Sequence, residues 1–309
     1  MKTKMTLILL ILFSIIGSVS CKKQNQPIND NKVNLDKENY EVVLLPKEEN
    51  SEIVDVLLKN NETGEIKTFI TLGDIVQGHY HNTEYHNGEL FILRKVNEEV
   101  GSGSDNEISL WVYKEDGKGV KLLSGRGLDF RANPDGSLIA TYSGEEVLFI
   151  DDNGDVLLLF GLPDIAGENE QLLNAAIGLE GWSADGSIFW GNLFLGAYKA
   201  AFYQVNVVEG ALKTYDLTGI ELIGREYDLN EDTGKLVFSD YPVFFDALSS
   251  DNFKESGKTV TLYLLDLESM ETQQIAQSQA EVFLPSWMDE ITIAYENPNG
   301  EGRLTYTLP

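Results

Sequence analysis

A turn followed by a strand recurs along this chain, and it is the feature that most constrains the fold. The clearest copy, NPDGSLIATY at 133–142, places an Asn-Pro-Asp-Gly turn before a run of apolar and β-branched residues. A repeat every fifty residues or so predicts copies of one structural unit. The four related segments are YHNGELFIL (85–93), SADGSIFWG (183–191), NEDTGKLVFS (230–239) and SWMDEITIAY (286–295).

Each repeat also carries signals for further strands. Apolar runs joined by a turn, such as VLFIDDNGDVLLLF (147–160), lie downstream of the motif and predict β-hairpins. A shorter and more polar segment, such as GRGLDFRA (125–132), precedes each turn. The runs after the turns barely alternate in polarity, which predicts strands buried on both faces. Four strands per repeat predict an all-β fold, a β-propeller of four-stranded antiparallel blades.

The number of blades depends on the two ends of the repeat region. The segment YEVVLL (40–45) would supply the inner strand of an N-terminal blade, which gives six blades. Five blades with spare edge strands is the alternative. The C-terminal segment RLTYTLP (303–309) is predicted to pair with the N-terminal strands and close the ring.

The turn motifs resemble those of a known family. NPDGSLIATY, WSADGSIFW (182–190) and PSWMDEITIAY (285–295) resemble the W-S-P-D-G-x-x-I-A-Y repeat of TolB-like, PD40-type propellers, which are WD40-like. The resemblance covers residues 40–309, although Asn133 and Ala184 replace the Ser and Pro of the pattern. It implies the propeller fold, and a role in envelope assembly follows from it only as an analogy of fold.

The N-terminus has the pattern of an export signal. Residues 1–20 combine Lys2 and Lys4 with an uncharged apolar run, which predicts a signal peptide. Cys21, the chain's single cysteine, follows small residues and resembles the lipobox of a bacterial lipoprotein, apart from Ser18 where a large apolar residue is usual. The alternative is an ordinary signal with a chance cysteine. If the resemblance holds, Cys21 is lipidated and anchors the chain in a membrane.

Three segments follow from this pattern: the signal peptide, a polar and disordered tether at 21–38, and a single propeller domain at 39–309. Lys22 and Lys23 stand where Asp would retain such a lipoprotein, so the resemblance implies an exported protein of the outer membrane in a two-membrane cell.

The chain is strongly acidic, with a net charge of −27 at pH 7. Residues 1–20 contain two lysines and no acids, so their removal takes the charge to −29. This excess of negative charge argues against nucleic acid as a partner and leaves the anchor as the membrane contact.

Three long interruptions, 97–107, 161–178 and 241–257, all fall on one face of the predicted disc, because strand direction alternates within a blade. Long loops on a rigid scaffold often carry function, so a protein, peptide or glycan partner is expected there. The third loop is rich in aromatic residues that either pack onto the blades or form an exposed recognition patch: Tyr241, Phe244, Phe245 and Phe253.

Acidic residues near the start of the inner strand recur in four repeats and would ring the central channel. With a histidine from the first repeat, they suit calcium or another divalent cation, because hard cations bind carboxylate oxygens. The alternative is that they solvate a water-filled channel and that the protein has no cofactor. These candidate metal ligands are Asp129, Glu180, Glu226 and Glu281, with His79 and His81.

The sequence lacks a nucleophile elbow, an H-E-x-x-H motif, a P-loop and a dinucleotide-binding glycine pattern. We therefore expect a non-catalytic binding or scaffold protein, anchored by lipid to the cell envelope. The alternative is a metal-dependent hydrolase or lactonase-like enzyme with its ion in the central channel.

Overall fold

The computed structural model describes residues 40–47, 50–73, 83–95, 107–196, 198–218, 220, 226–242 and 247–309. These residues form antiparallel sheets that follow one another along the chain, and we number the six described sheets in that order. Two helices, α1 (Leu162–Ala166) and α2 (Ala247–Ser256), are inserted between strands. Neither these helices nor any other in the described ranges is long and apolar enough to cross a membrane.

The strands of each sheet are consecutive in sequence. Sheet 1 contains β1 (Tyr40–Lys47), β2 (Asn50–Asn60) and β3 (Ile66–Gly73). Sheet 2 contains β4 (Thr83–His86), β5 (Glu89–Lys95), β6 (Glu107–Lys114) and β7 (Gly119–Arg126). Sheet 3 contains β8 (Phe130–Ala132), β9 (Leu138–Ser143), β10 (Glu146–Asp151) and β11 (Val156–Gly161).

Sheets 4 to 6 continue the pattern. Sheet 4 contains β12 (Ala176–Trp182), β13 (Ile188–Leu195), β14 (Tyr198–Asn206) and β15 (Ala211–Asp216). Sheet 5 contains β16 (Tyr227–Asn230), β17 (Lys235–Ser239), β18 (Thr259–Asp266) and β19 (Glu271–Gln279). Sheet 6 contains β20 (Ser286–Trp287), β21 (Thr292–Glu296) and β22 (Arg303–Thr307).

This architecture confirms the predicted all-β propeller of antiparallel sheets. In the described part of the chain, sheets 2 to 5 have four strands, whereas sheets 1 and 6 have three. The segment 40–45 does form a strand, because β1 pairs with β2 from Tyr40 opposite Asn60 to Lys47 opposite Asn50. The number of blades in the closed ring stays a prediction.

The predicted pairing of the C-terminal segment with the N-terminal strands is wrong for the described residues. There β22 pairs with β21, with Thr307 opposite Thr292. A tight turn at 297–302 directs one edge of β22 onto β21, since the Asn297 N–H donates to the Gly302 carbonyl at 3.0 Å and Gly302 adopts a φ of +86°, and the other edge of β22 pairs with no described strand. This turn folds β22 back onto β21 as the third strand of sheet 6.

The turns between the first and second strands of neighbouring sheets meet on one side of the molecule. A Cβ on Gly136 would lie 3.2 Å from the Cβ of His86, and one on Gly186 would lie 3.3 Å from Pro134 Cδ. We call this side, which also carries the turns between third and fourth strands, the short-turn face. The opposite side is the long-loop face, which carries the links between sheets and, in sheets 2 to 6, the links between second and third strands. In sheet 1 the turn between β2 and β3 lies on the short-turn face.

The strands after the repeated turns are buried on both faces, as predicted. Ile139 and Ala140 are adjacent in β9, yet both are inaccessible to solvent. Aromatic rings join one sheet to the next: Phe149 of sheet 3 lies 5.9 Å from Trp182 and 5.4 Å from Phe189 of sheet 4. Truncating such a ring to alanine typically costs about 3–5 kcal/mol, so contacts of this kind dominate the cohesion of the sheets.

The motif tryptophans tie inner strands to the preceding sheet. Trp182 Nε1 donates to the Arg131 carbonyl at 3.0 Å, and Trp287 Nε1 donates to the Asp228 carbonyl at 3.2 Å. Acids satisfy backbone donors in the same way, since the Asp228 carboxylate accepts from the Trp287 N–H at 2.7 Å. Among the described strands, the inner strand of each of these sheets pairs along one edge only. The backbone groups on its other edge therefore need hydrogen bonds of this kind.

Candidate functional site

A small pocket lies between sheets 4 and 5, at the long-loop ends of their strands. It has room for about one water molecule. We call it the Lys199 pocket; the residues that line it are Lys199, Phe202, Glu226, Tyr227, Leu236, Phe238 and Ser239.

Lys199 is the charged centre of this pocket. It lies near the start of β14, with 11% of its side chain exposed, and its Nζ is 2.5 Å from Glu180 Oε1. The ammonium also faces aromatic rings, 4.2 Å from the centroid of Tyr227 and 4.6 Å from that of Phe194. Burial lowers the pKa of Lys199, and the Glu180 carboxylate opposes that shift.

Glu180 is held by groups from both sheets. In addition to Lys199, it accepts hydrogen bonds from the Asn192 side-chain amide and, at 3.0 Å, from the Tyr227 hydroxyl. Burial, and next the negative charge of Glu180, raises the pKa of Tyr227 far above its ordinary value, so the phenol stays protonated and donates. The result is a fixed ion pair within sheet 4 that the Tyr227 hydroxyl ties to sheet 5.

Glu226 forms the other charged wall of the pocket. It is 5% exposed, and its Oε2 accepts from the Ser239 hydroxyl at 2.6 Å. The same oxygen accepts from the Phe283 N–H at 3.1 Å, which connects sheet 5 to the segment that leads into sheet 6. A buried carboxylate with two good donors is stabilised in its place.

The structure brings together only some of the acids predicted to ring the channel. Glu180 and Glu226 lie on either side of Tyr227, and Asp129 is next along the ring, where it contacts Arg131 at 3.2 Å. Arg131 Nε in turn donates to the Glu180 carbonyl at 3.0 Å. Glu281 is exposed on the connection between sheets 5 and 6.

In the described part of the chain, these acids do not form a metal-binding cluster. Within the described ranges, no group of three or more His, Cys, Asp or Glu side chains is arranged to hold a metal ion. His79 and His81 lie outside those ranges, so a site that includes them stays a prediction.

Of the aromatic residues predicted in the third long loop, two lie among the described residues. Tyr241 and Phe253 pack edge to face at 5.3 Å, and both contact the core between sheets 5 and 6. They are partly buried, as in the hypothesis that these residues pack onto the blades. Phe244 and Phe245 lie outside the described residues, as does Cys21.

Three residues of this site were not predicted from the sequence: Lys199, Tyr227 and Asn192. The available signal was the charged Lys199 in the apolar strand YKAAFYQVN, where a lysine needs a partner if it is buried. The partner Glu180 was named among the acids, but its pairing with a lysine two strands away in the same sheet cannot be derived from a strand pattern alone.

A second acidic group lies at the short-turn end of the same interface. Glu231 follows β16, and burial, together with the charges of Asp228, Glu180 and Asp232, raises its pKa to about 7. Its Oε1 lies over Gly181, where a Cβ would come within 2.7 Å of it.

The fold of this chain is similar to that of proteins with several activities. An oligogalacturonate lyase in complex with manganese matches 84% of this chain and 74% of its own, at 14% identity and a TM-score of 0.51. The oligogalacturonate lyase of Vibrio parahaemolyticus matches 83% of this chain and 72% of its own, at 13% identity and a TM-score of 0.52. TolB from Acinetobacter baumannii matches 85% of this chain and 62% of its own, at 11% identity and a TM-score of 0.42.

No protein-family model matches the chain, and no curated protein matches its sequence. At such low identity, a structural likeness establishes the fold and leaves the activity open. The consecutive antiparallel sheets, together with the likeness to the two lyase structures, confirm the β-propeller fold predicted from the TolB-like repeat.

Proposed function

We propose that this chain is a lipid-anchored β-propeller of the cell envelope that binds a protein, peptide or glycan partner on its long-loop face and catalyses no reaction. The observation that carries the proposal is the Lys199 pocket on that face. Hydrogen bonds hold its charged groups in fixed positions and leave room for about one water molecule, so we expect the preorganised surface around the pocket to contact the partner.

The surroundings of the pocket support a binding role for this face. Helix α2 is inserted between β17 and β18 and exposes 70% of Leu248. The link between sheets 3 and 4 carries α1 and exposes 45% of Leu173. Apolar side chains on rigidly held insertions are common at the centre of protein interfaces. The short-turn face has tight turns instead of helical insertions, although the turn between β20 and β21 also exposes apolar side chains, 64% of Met288 and 52% of Ile291.

Charge and surface changes on the two faces test the location of the binding site. Leu248→Asp and Glu168→Lys alter the long-loop face, whereas Glu209→Lys alters the turn between β14 and β15 on the short-turn face. We expect a partner or glycan retained by the unaltered chain to be lost with the first two variants and kept with the third. Equal retention by all three, with unchanged melting temperatures, would refute binding at this face.

Membrane attachment is a separate part of the proposal, and its support is the sequence around Cys21. We expect the exported chain to fractionate with the outer membrane in a two-membrane cell, and Cys21→Ser to release it into the soluble fraction. If the Cys21→Ser chain fractionates as the unaltered chain does, a lipid on Cys21 is not what holds it.

A metal-dependent hydrolase or lactonase-like enzyme is the second candidate. The observation that favours it is that two of the predicted channel carboxylates, Glu180 and Glu226, lie on either side of Tyr227 on the long-loop face, although Lys199 would have to leave Glu180 for an ion to bind there. One structure of similar fold, an oligogalacturonate lyase, is a complex with manganese. Metal analysis of the purified chain, with melting curves in calcium, manganese or zinc, separates the two candidates: the enzyme requires a bound ion or a raised melting temperature.

A further inference from the structure

We infer that the lipid anchor joins the propeller on its short-turn face, so that the long-loop face points away from the membrane. This inference rests on the anchor and the binding face proposed above. It adds an orientation, and thereby the side from which a partner approaches. The observations that carry it are the position of Tyr40 and the direction of β1.

Tyr40 lies on the short-turn face. It pairs with Asn60, the last residue of β2 before the turn into β3. Its ring is 5.5 Å from that of Tyr85, which lies two residues before the turn between β4 and β5. Lys67 Nζ, near the start of β3, is 5.1 Å from the centroid of the same ring. Three neighbours on three strands therefore fix Tyr40 beside the short turns.

The other end of sheet 1 lies on the long-loop face. Gly73, the last residue of β3, accepts a hydrogen bond from Arg94 Nε at 3.2 Å. Arg94 is near the end of β5, where the chain enters the link to β6. Because β1 and β3 both run toward this end, the chain enters the propeller at the short-turn face and not beside the long loops.

How strongly this entry point favours one orientation of the propeller depends on the length of the chain between Cys21 and Tyr40. Residues 22–39 separate Cys21 from Tyr40, and such a length spans at most about 65 Å. A strand of eight residues is about 26 Å long, which approximates the thickness of the disc. If the long-loop face were against the membrane, the segment would have to pass the full thickness of the disc, and fewer chain conformations satisfy that constraint.

The orientation determines which partners fit the long-loop face. A partner of that face approaches from the aqueous compartment. It is a macromolecule that is dissolved there or held on the surface opposite the anchoring membrane. A lipid headgroup or a protein embedded in the same leaflet would instead meet the short-turn face. In this orientation the Lys199 pocket faces the aqueous compartment into which the propeller projects from the membrane.

Single-cysteine labelling of the lipidated full chain on phosphatidylcholine vesicles tests this orientation. Asn153 and Glu145 flank β10 at its short-turn and long-loop ends and are both exposed, so Asn153→Cys and Glu145→Cys form a matched pair. Ser269→Cys and Lys258→Cys form a second pair at the two ends of β18 and detect a tilt of the disc. The lipid occupies the sulfur of Cys21, so each introduced cysteine is the only free thiol.

Energy transfer from the label to an acceptor on the lipid headgroups is the measurement. The ends of a six-residue strand are about 20 Å apart, so we expect at least about twofold higher transfer from position 153 than from 145, and likewise from 269 than from 258. Equal transfer within both pairs, or higher transfer from the long-loop end, overturns the orientation. If the lipidated chain does not bind the vesicles, the anchor itself is refuted and the orientation with it.

Discussion

Glu180 and Glu231 lie at the two ends of the interface between sheets 4 and 5, and their surroundings differ. At the long-loop end, Glu180 is 2.5 Å from the ammonium of Lys199 and accepts from the Tyr227 hydroxyl at 3.0 Å. At the short-turn end, the charges that act on Glu231 are those of other acids, and its pKa is raised to about 7. A lysine and a phenol thus stabilise the carboxylate at the long-loop end, whereas neighbouring acids destabilise the carboxylate at the short-turn end.

The difference shows how an acidic propeller can bury carboxylates between its sheets. The ion pair of Glu180 and Lys199 is buried within sheet 4 and receives the Tyr227 hydroxyl from sheet 5, and loss of either partner leaves a buried charge without compensation. A carboxylate faced by other acids gains a proton near neutral pH instead. The first environment suits a fixed recognition site, whereas the second makes the interface sensitive to pH.

The largest expected effect comes from removing the cation of the long-loop end. Lys199→Met leaves Glu180 buried without its ammonium, so we expect the free energy of unfolding to fall by about 3–5 kcal/mol in urea titrations. Lys213→Met is the matched control, because Lys213 pairs with Glu268 on the surface, where the two side chains are 49% and 72% exposed. The control should change stability far less.

The double variant Lys199→Met, Glu180→Gln sharpens this comparison. Without the carboxylate, the loss of the ammonium leaves no buried charge, so the double variant should recover part of the stability that Lys199→Met loses. Equal destabilisation by Lys199→Met and Lys213→Met would show that the Lys199 pair is as weak as a surface pair.

A smaller effect is expected from the hydroxyl of Tyr227. Tyr227→Phe removes the donor to Glu180 but keeps the ring that faces Lys199, so the loss should be about 2 kcal/mol, a typical value for a hydrogen bond to a charged group. Tyr198→Phe on the same interface strand β14 is the control, since Tyr198 is 47% exposed. Chemical denaturation of both variants measures the difference, and no difference between them would contradict a stabilising role for the phenol.

Much of the fold could be predicted from sequence because its determinants are local. The turn at 133–136 and the apolar run after it specify a strand pair without reference to distant residues, and the same pattern recurs in each repeat. The pairing of β22 was not predictable in this way. It depends on the turn at 297–302, which brings the last strand onto β21 and not onto the N-terminal strands.

The site was less predictable than the fold. Glu180 and Glu226 were identified as acids near the start of inner strands, but their partners come from other strands and sheets. Lys199 is far from Glu226 in sequence, and their meeting at one pocket depends on how sheets 4 and 5 pack. Burial and electrostatic environment, which separate Glu180 from Glu231, arise only after that packing.

The pH dependence of Glu231 gives a third and smaller effect. Between its ordinary pKa of 4.5 and the folded-state value of about 7, the folded chain binds a proton that the unfolded chain lacks. The contribution of Glu231 to stability therefore falls as the pH rises through this range, and the full penalty is present above pH 7.

Glu231→Gln removes that penalty. We expect it to stabilise the chain by about 1–2 kcal/mol at pH 8 and to have little effect at pH 5, where Glu231 is largely protonated in the folded chain. Melting curves of both chains across this range provide the measurement, with the exposed Glu209→Gln as the control. An equal shift at both pH values would mean that Glu231 does not titrate near neutral pH in the folded state.

The smallest effect is expected at Asp232, which is adjacent to Glu231 but has a donor from the neighbouring sheet. Its Oδ1 accepts from the Ala184 N–H at 2.6 Å, in the turn that follows Trp182. Asp232→Ala removes this bond at an exposed position where water can replace the acceptor, so we expect a loss of only about 0.5–1 kcal/mol in chemical denaturation.

Removing the charge of Asp232 should also lower the pKa of Glu231, since Asp232 is one of the acids that raise it. The same substitution thus weakens a tie between the sheets while it relieves the acidic group, and melting curves at pH 8 should show a smaller loss than those at pH 5. A loss that does not depend on pH would show that Asp232 acts on this interface only through its hydrogen bond.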